Sequence, residues 1–389
     1  LMEITKRPSF TMVEGSGSYL VDDAGKRYLD FVQGWAVNCL GHSPKVIVDA
    51  LSKQAAKLIN CSPAFYNEPM KELATLLTKT TGLDKVFFTN SGAEANEGAI
   101  KLARKWGAVN REGAFEIITM ENSFHGRTLA TMSASGKPQW KDLFEPKVPG
   151  FIKVPINDLE KLEAAITRKT VAIMLEPIQG EAGVIPAQAQ FMNGIRALAD
   201  KHKILMIVDE IQTGVGRTGT LFAFEQYGLK PDILTVGKGL GGGVPLAAMV
   251  ATEAVSCFEH GDQGGTFNGT ALITAVGIAV LTEVARAEFL QQVVSTGAKL
   301  RSRLEQISQT HKQGEVRGQG LLLSLTLSDE FATNIVSAAL EEGLLLNAPN
   351  SRTLRFMPAL NVSAEEVDQM ADQLEKLIAR EVQSRDASS

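Results

Sequence analysis

Lys238 ends the apolar run 233–236 and stands between Gly237 and Gly239. Glycine on both sides lets another molecule approach the amine closely, and an amine withdrawn from water sheds its proton and becomes a nucleophile. A lysine taken at random is a solvated surface charge, so the assignment needs support from other parts of the chain. The run 204–208 supplies some, because it ends in Asp209 and Glu210 and is followed by Gln212 and Thr213. A carboxylate buried at a strand end needs a cationic partner; a protonated pyridine nitrogen, an ordinary ion pair and solvent are the candidates. After the run 86–89 comes NSGAEANEG, residues 90–98. A Ser-Gly turn feeding a helix presents free N–H groups and the positive end of the helix dipole, which together bind phosphate. On this segment alone, Ser91 as an ordinary helix cap is the favoured reading. Jointly, these strand ends offer a phosphate nest, a partner for a pyridinium and an amine that captures an aldehyde.

Elements in a definite arrangement must bring these residues together. The runs 86–89, 117–120, 171–175, 204–208 and 233–236 are short and apolar with few polar interruptions, which suits strands buried on both faces of a mostly parallel sheet. Helical stretches at 93–109 and 190–202 separate several of them, the mark of a doubly wound α/β domain. Ligands in such sheets sit at the carboxyl ends of the strands, where Ser91, Asp209 and Lys238 stand. Before this region, 19–21 and 27–31 form a hairpin turning at Gly25, and amphipathic helices follow Pro44 and Asn67. After it, a helical region at 271–309 leads to a strand at 321–327, a helix at 329–342, a strand at 352–356 and a closing helix at 364–382. The expected fold class is α/β, with a mostly parallel central sheet in a large domain, 59–299. A smaller α+β domain is built from both chain ends, 1–58 and 300–389.

Composition narrows the function. The chain has 389 residues, 44% of them hydrophobic, and its 39 basic and 44 acidic side chains give a net charge of -5. That balance leaves no footprint for nucleic acid or an anionic membrane, so the expected partners are small molecules and a second copy of the chain. Cys39, Cys61 and Cys257 are isolated thiols without metal-binding or disulfide spacing; no metal is expected, and a reducing cytoplasm fits. The first ten residues resemble neither a signal peptide nor a membrane anchor, and the apolar stretch 271–280 is too short to span a bilayer. GVGRTG at 214–219 and GKGLGG at 237–242 both match the dinucleotide fingerprint, and so keep an NAD-dependent dehydrogenase as the reading from another class. Neither opens a convincing helix, and Lys238 precedes its glycines, against the Walker A order.

Six ordered motifs carry a wider likeness: NSGAEANE at Asn90, FHGRT at Phe124, EPIQGEAG at Glu176, DEIQTGVGRTG at Asp209, GKGLGGG at Gly237 and GTF at Gly265. With these the chain resembles the class III family of fold-type-I aminotransferases, most closely the acetylornithine and ornithine group, from Gly41 to Leu360. The resemblance implies pyridoxal 5'-phosphate held as a Schiff base on Lys238, which also moves the proton between substrate and cofactor. Asp209 pairs with the pyridine N–H, Gln212 contacts the ring hydroxyl, Phe124 stacks on the ring, and His125 joins the cofactor contacts. Ser91, Gly92 and Ala93 form the phosphate nest, which Thr266 completes from the other subunit of a homodimer with active sites at the interface. Arg127 takes a substrate carboxylate, and Arg355 takes the α-carboxylate of glutamate unless Glu181 masks it. The implied reaction moves the distal amine of N-acetylornithine, or a similar ω-amino acid, to 2-oxoglutarate by ping-pong chemistry. Transamination of another ω-amino acid or a diamine, and a racemase or decarboxylase, are the runners-up. Two departures bear on the donor: Asn268, Gly269, Thr270 and Ala271 follow GTF, and a bulky Trp35 stands near the entrance.

Overall fold

The computed structural model describes residues 1–386. At its centre is a seven-stranded sheet in the order Lys85–Thr89, Ala247–Ala251, Ile233–Val236, Leu205–Glu210, Thr170–Leu175, Glu116–Met120, Phe151–Val154. Ala247–Ala251 runs antiparallel to both neighbours, and the other pairs are parallel. Thr170–Leu175 and Leu205–Glu210 are buried at every position, which is why their sequences run apolar without alternation. All five strands expected from the apolar runs are present, in the expected α/β class.

Helices cover the sheet, one by close approach of small residues and another by burying large apolar ones. Gly92–Asn110 buries Ala95, Ala99, Ile100, Leu102 and Ala103, and a side chain at Gly107 would collide with the Ala114 carbonyl. Ala189–His202 buries Phe191, Met192, Ile195 and Leu198. The helices after Pro44 and Asn67 are Lys45–Ala55 and Glu68–Thr81; the Asn67 side chain caps the latter by accepting the Met70 N–H at 2.9 Å. The helical region expected over 271–309 is two helices, Ala271–Val284 and Ala287–Thr310, the second running unbroken across residue 300.

The chain ends meet in smaller sheets. Met12–Ser16, Tyr19–Asp22 and Arg27–Asp30 form an antiparallel ribbon, turning at Gly25 with φ 80°, and Leu344–Leu345 adds to its edge parallel to Arg27–Asp30. A second sheet, Val316–Gln319, Leu322–Thr326, Thr353–Phe356 and Asn347–Asn350, carries Arg355. Ala332–Glu341 packs beside its strand Asn347–Asn350, and Ala364–Asp386 packs against Ala332–Glu341 and Ala287–Thr310. Arg217, in the segment after Leu205–Glu210, ties the central sheet to this region. It is 2% exposed and donates to the carbonyls of Leu321 at 3.0 Å and Pro358 at 2.6 Å.

Candidate active site

Three carboxyl ends of the central sheet, after Thr89, Glu210 and Val236, open into one cavity of about 260 Å³. Gly92, Ala93, Phe124, His125, Arg127, Glu181, Asp209, Gln212 and Lys238 all line it. At the first end, Ser91 caps Gly92–Asn110 by accepting the Glu94 N–H at 3.2 Å. The N–H groups of Gly92 and Ala93, in the first turn, have no acceptor within the helix. Ser91 is exposed and acts as the cap, outside the cavity wall.

At the second end Asp209 is 3% exposed and held on both oxygens. Oδ2 accepts from the Asn96 amide at 2.8 Å and lies 2.8 Å from His125 Nδ1, and Oδ1 accepts the Ile211 N–H at 3.0 Å. Asn96 is itself fixed, because its amide also donates to the His125 carbonyl at 2.8 Å and its oxygen accepts the Thr235 hydroxyl at 2.7 Å. Both amide atoms of Gln212 and Nε2 of His125 are buried with no hydrogen-bond partner among the described residues.

At the third end Lys238 has φ 43°. This left-handed conformation costs a non-glycine residue about 1–2 kcal/mol, and such strain persists where the surroundings over-determine it, as they do at functional sites. Burial pulls the Lys238 ammonium down to about 8; Glu181, Asp209 and Glu176 oppose that, while Arg355 adds to it. Glu176, whose carboxylate accepts the Phe124 N–H at 2.9 Å, is pushed up to about 7 by burial.

The guanidinium of Arg355 is 1% exposed and donates to Glu181 Oε1 at 2.8 Å and Asn347 Oδ1 at 2.9 Å. Burial alone would raise the Glu181 carboxyl, but Arg355 and then Lys137 outweigh it and hold it near 2. Gly180 makes room here: a side chain on it would collide with Gln212 Oε1 and sit 3.4 Å from Arg355. Besides Ser91, the expected site residues Thr266 and Trp35 lie outside this cavity. Thr266 is exposed, next to exposed Phe267, and outside the cavity. Trp35 is 51% exposed with φ 66° and lines a separate apolar cavity together with Asn347, the partner of Arg355. Sequence reading assigned no role to Asn96, Lys137, Glu176, Gly180 or Thr235.

The sequence profile described as "Aminotransferase class-III" matches residues 3–378. The chain belongs to the class III aminotransferases. It is 57% identical to the acetylornithine aminotransferase of Ralstonia nicotianae, covering 97% of this chain and 96% of that one. Among solved structures it is similar to the ornithine aminotransferase of Toxoplasma gondii, with a TM-score of 0.94, 31% identity, and 99% and 93% of the two chains covered. The N-acetylornithine aminotransferase of Stenotrophomonas maltophilia gives a TM-score of 0.85 at 37% identity, covering 97% and 98%.

As a class III aminotransferase this enzyme uses pyridoxal phosphate, and the cavity fits that group on its own chemistry. The orphaned amide of Gln212 offers a polar partner to a ring substituent, and the triply held Asp209 offers a fixed anion to a ring N–H. Gly92 and Ala93 offer helix-terminal N–H groups to a phosphate, and Lys238 a buried amine.

Proposed function

We propose that this aminotransferase moves the distal amine of N-acetylornithine, or of a similar ω-amino acid, to 2-oxoglutarate. The observation that carries the reading is the Glu181–Arg355 ion pair, whose carboxylate residue lines the cavity together with Arg127; the names of its relatives support the donor class. When bound, pyridoxal phosphate supplies an aldehyde that condenses with primary amines and a ring that accepts electrons. Lys238 would carry the cofactor and move the proton at the reacting carbon, since an amine drawn down to about 8 exchanges a proton more readily than a solvated lysine. Asp209 would hold the ring N–H, with His125 behind it; Gln212 would meet the ring hydroxyl; Phe124 would cover the ring face.

With the amino donor, Arg127 takes the donor's carboxylate while Glu181 neutralises Arg355, so only the distal amine reaches the cofactor. With the acceptor, the diacid displaces Glu181 and places one carboxylate on each arginine. One cavity thereby serves two differently charged substrates. The active unit in this reading is a cytoplasmic homodimer, in which exposed Thr266 reaches the partner's phosphate site. Residues 59–299 form the cofactor-bearing domain, and 1–58 with 300–389 the smaller one.

Following the two half-reactions separately by cofactor absorbance tests the proposal. Arg355→Ala is expected to weaken the 2-oxoglutarate half by about 1.5–3 kcal/mol, the range for hydrogen bonds to charged groups, and to spare the donor half. Glu181→Ala is expected to improve glutamate-like donors at the expense of ω-amino donors. Equal slowing of both halves by Arg355→Ala, or an unchanged donor preference in Glu181→Ala, would show that the pair is only structural.

A further inference from the structure

Lys137 lies outside every sequence motif, yet it touches the centre of the substrate machinery. It precedes the short turn Pro138–Trp140, and its ammonium donates to Glu181 Oε2 at 3.1 Å while Arg355 holds Oε1 at 2.8 Å. The Glu181 carboxylate therefore bridges two cations. Lys137 is steadied from its other side: its nitrogen lies 5.0 Å from the Phe124 ring centre and 5.4 Å from that of Trp140, over which Arg127 also sits at 5.3 Å. Both side chains of the Lys137–Glu181 pair are 20% exposed, so solvent reaches them only in part.

This arrangement matters because of the masking proposed above, on which the inference rests. To admit a diacid, Glu181 must leave Arg355, and a largely buried carboxylate stranded without a partner is costly. Lys137 removes that cost. Gripping the other oxygen, it lets Glu181 turn away from the guanidinium and stay paired, while the aromatic contacts keep the ammonium in place.

We propose that Lys137 is the partner of Glu181 in the diacid-accepting state, a positioning residue that sets how readily Arg355 is unmasked. It thereby sets the balance between a monocarboxylate amino donor and a dicarboxylate acceptor.

The test uses the holoenzyme and two measurements: calorimetric binding of glutarate, a dicarboxylate that cannot react, and KM for donor and acceptor in separate half-reactions. Lys137→Met should weaken glutarate binding and raise the acceptor KM by about tenfold, equivalent to about 1.4 kcal/mol. The donor half should stay within about twofold, and Lys137→Arg should restore the acceptor half. Glu181→Gln should tighten glutarate binding, and adding Lys137→Met to it should then change nothing. If Glu181→Gln tightens glutarate but Lys137→Met does not loosen it, masking stands and the role of Lys137 falls. Equal damage to both halves would make Lys137 merely structural, and a loss that persists in the Glu181→Gln background would mean direct contact with the diacid; either overturns the proposal. If Glu181→Gln leaves glutarate binding unchanged, the masking itself fails and takes the role of Lys137 with it.

Discussion

Asn96→Leu keeps the branched shape of the side chain and removes its three hydrogen bonds at once. Asp209 would lose one of its three donors and keep His125 and the Ile211 N–H. The His125 carbonyl and the Thr235 hydroxyl would lose their partner in a site that is 1% exposed at Asn96 and 0% at Thr235. A buried neutral group left unpaired costs about 1–3 kcal/mol, and a lost bond to a charge about 1.5–3 kcal/mol. Because one side chain makes all three, the terms do not simply add, and the expected loss is about 3–5 kcal/mol. Thr235→Val removes only the donor on the far side of Asn96 from Asp209, and should cost about 1–2 kcal/mol. Urea denaturation of the cofactor-free proteins measures both losses, and fluorescence titration with pyridoxal phosphate measures the effect on the site. Asn96→Leu should lose stability and weaken cofactor affinity by about tenfold or more, since the Asp209 carboxylate is then less firmly oriented; Thr235→Val should lose stability with affinity little changed. Wild-type stability and affinity in Asn96→Leu would refute the reasoning, for it would mean that His125 and Ile211 hold Asp209 unaided.

Lys238→Ala should abolish turnover yet still bind the cofactor non-covalently, losing a proton-transfer group worth about 10²–10⁴-fold. Borohydride reduction of the wild-type enzyme and peptide mapping check the attachment point, and an adduct on another lysine sinks the assignment. Glu176, raised by burial from 4.5 to about 7, holds a proton in the native state that the unfolded chain has released between those values. Its contribution is full below pH 4.5, and stability falls as pH rises to about 7. Glu176→Gln keeps an oxygen for the Phe124 N–H, so it should match the wild type below pH 4.5 and exceed it above pH 7 by up to about 3 kcal/mol. Thermal melts of the cofactor-free proteins across that range decide it, and an unchanged pH slope in the variant rules it out.

The sequence disclosed those parts of the structure whose physics is local. Fully buried parallel strands must be apolar at every position, so the five runs stood out, and the residues just beyond them are where such a sheet collects its chemistry. Ala247–Ala251 escaped because AAMVA, rich in alanine, has weak strand preference; it is a strand only because Lys85–Thr89 and Ile233–Val236 flank it. Phe151–Val154 is an edge strand with two exposed positions, and lacks the continuous apolar signature. Asn96 had a signal that went unused: it sits four residues after Gly92, on the same face of a helix that begins at the cavity. Lys137 had none, since its acid partner is 44 positions away and only the folded chain joins them.

Arg217 bears on substrate size. Its guanidinium is charged at neutral pH even though burial draws it down to about 10, and it grips the Pro358 carbonyl, just beyond the strand that carries Arg355, and the Leu321 carbonyl, just before the strand paired with it. The same residue belongs to the segment that follows Leu205–Glu210, the strand paired directly with Ile233–Val236, just beyond which Lys238 stands. The clasp joins the region that carries the buried amine to the region that carries the distant guanidinium, and in the proposed reaction it would make the protein a gauge of chain length. In the proposed reaction a diacid one methylene too short or too long would lose contact or incur strain, because the frame would not stretch to meet it and only side chains such as Glu181 would turn.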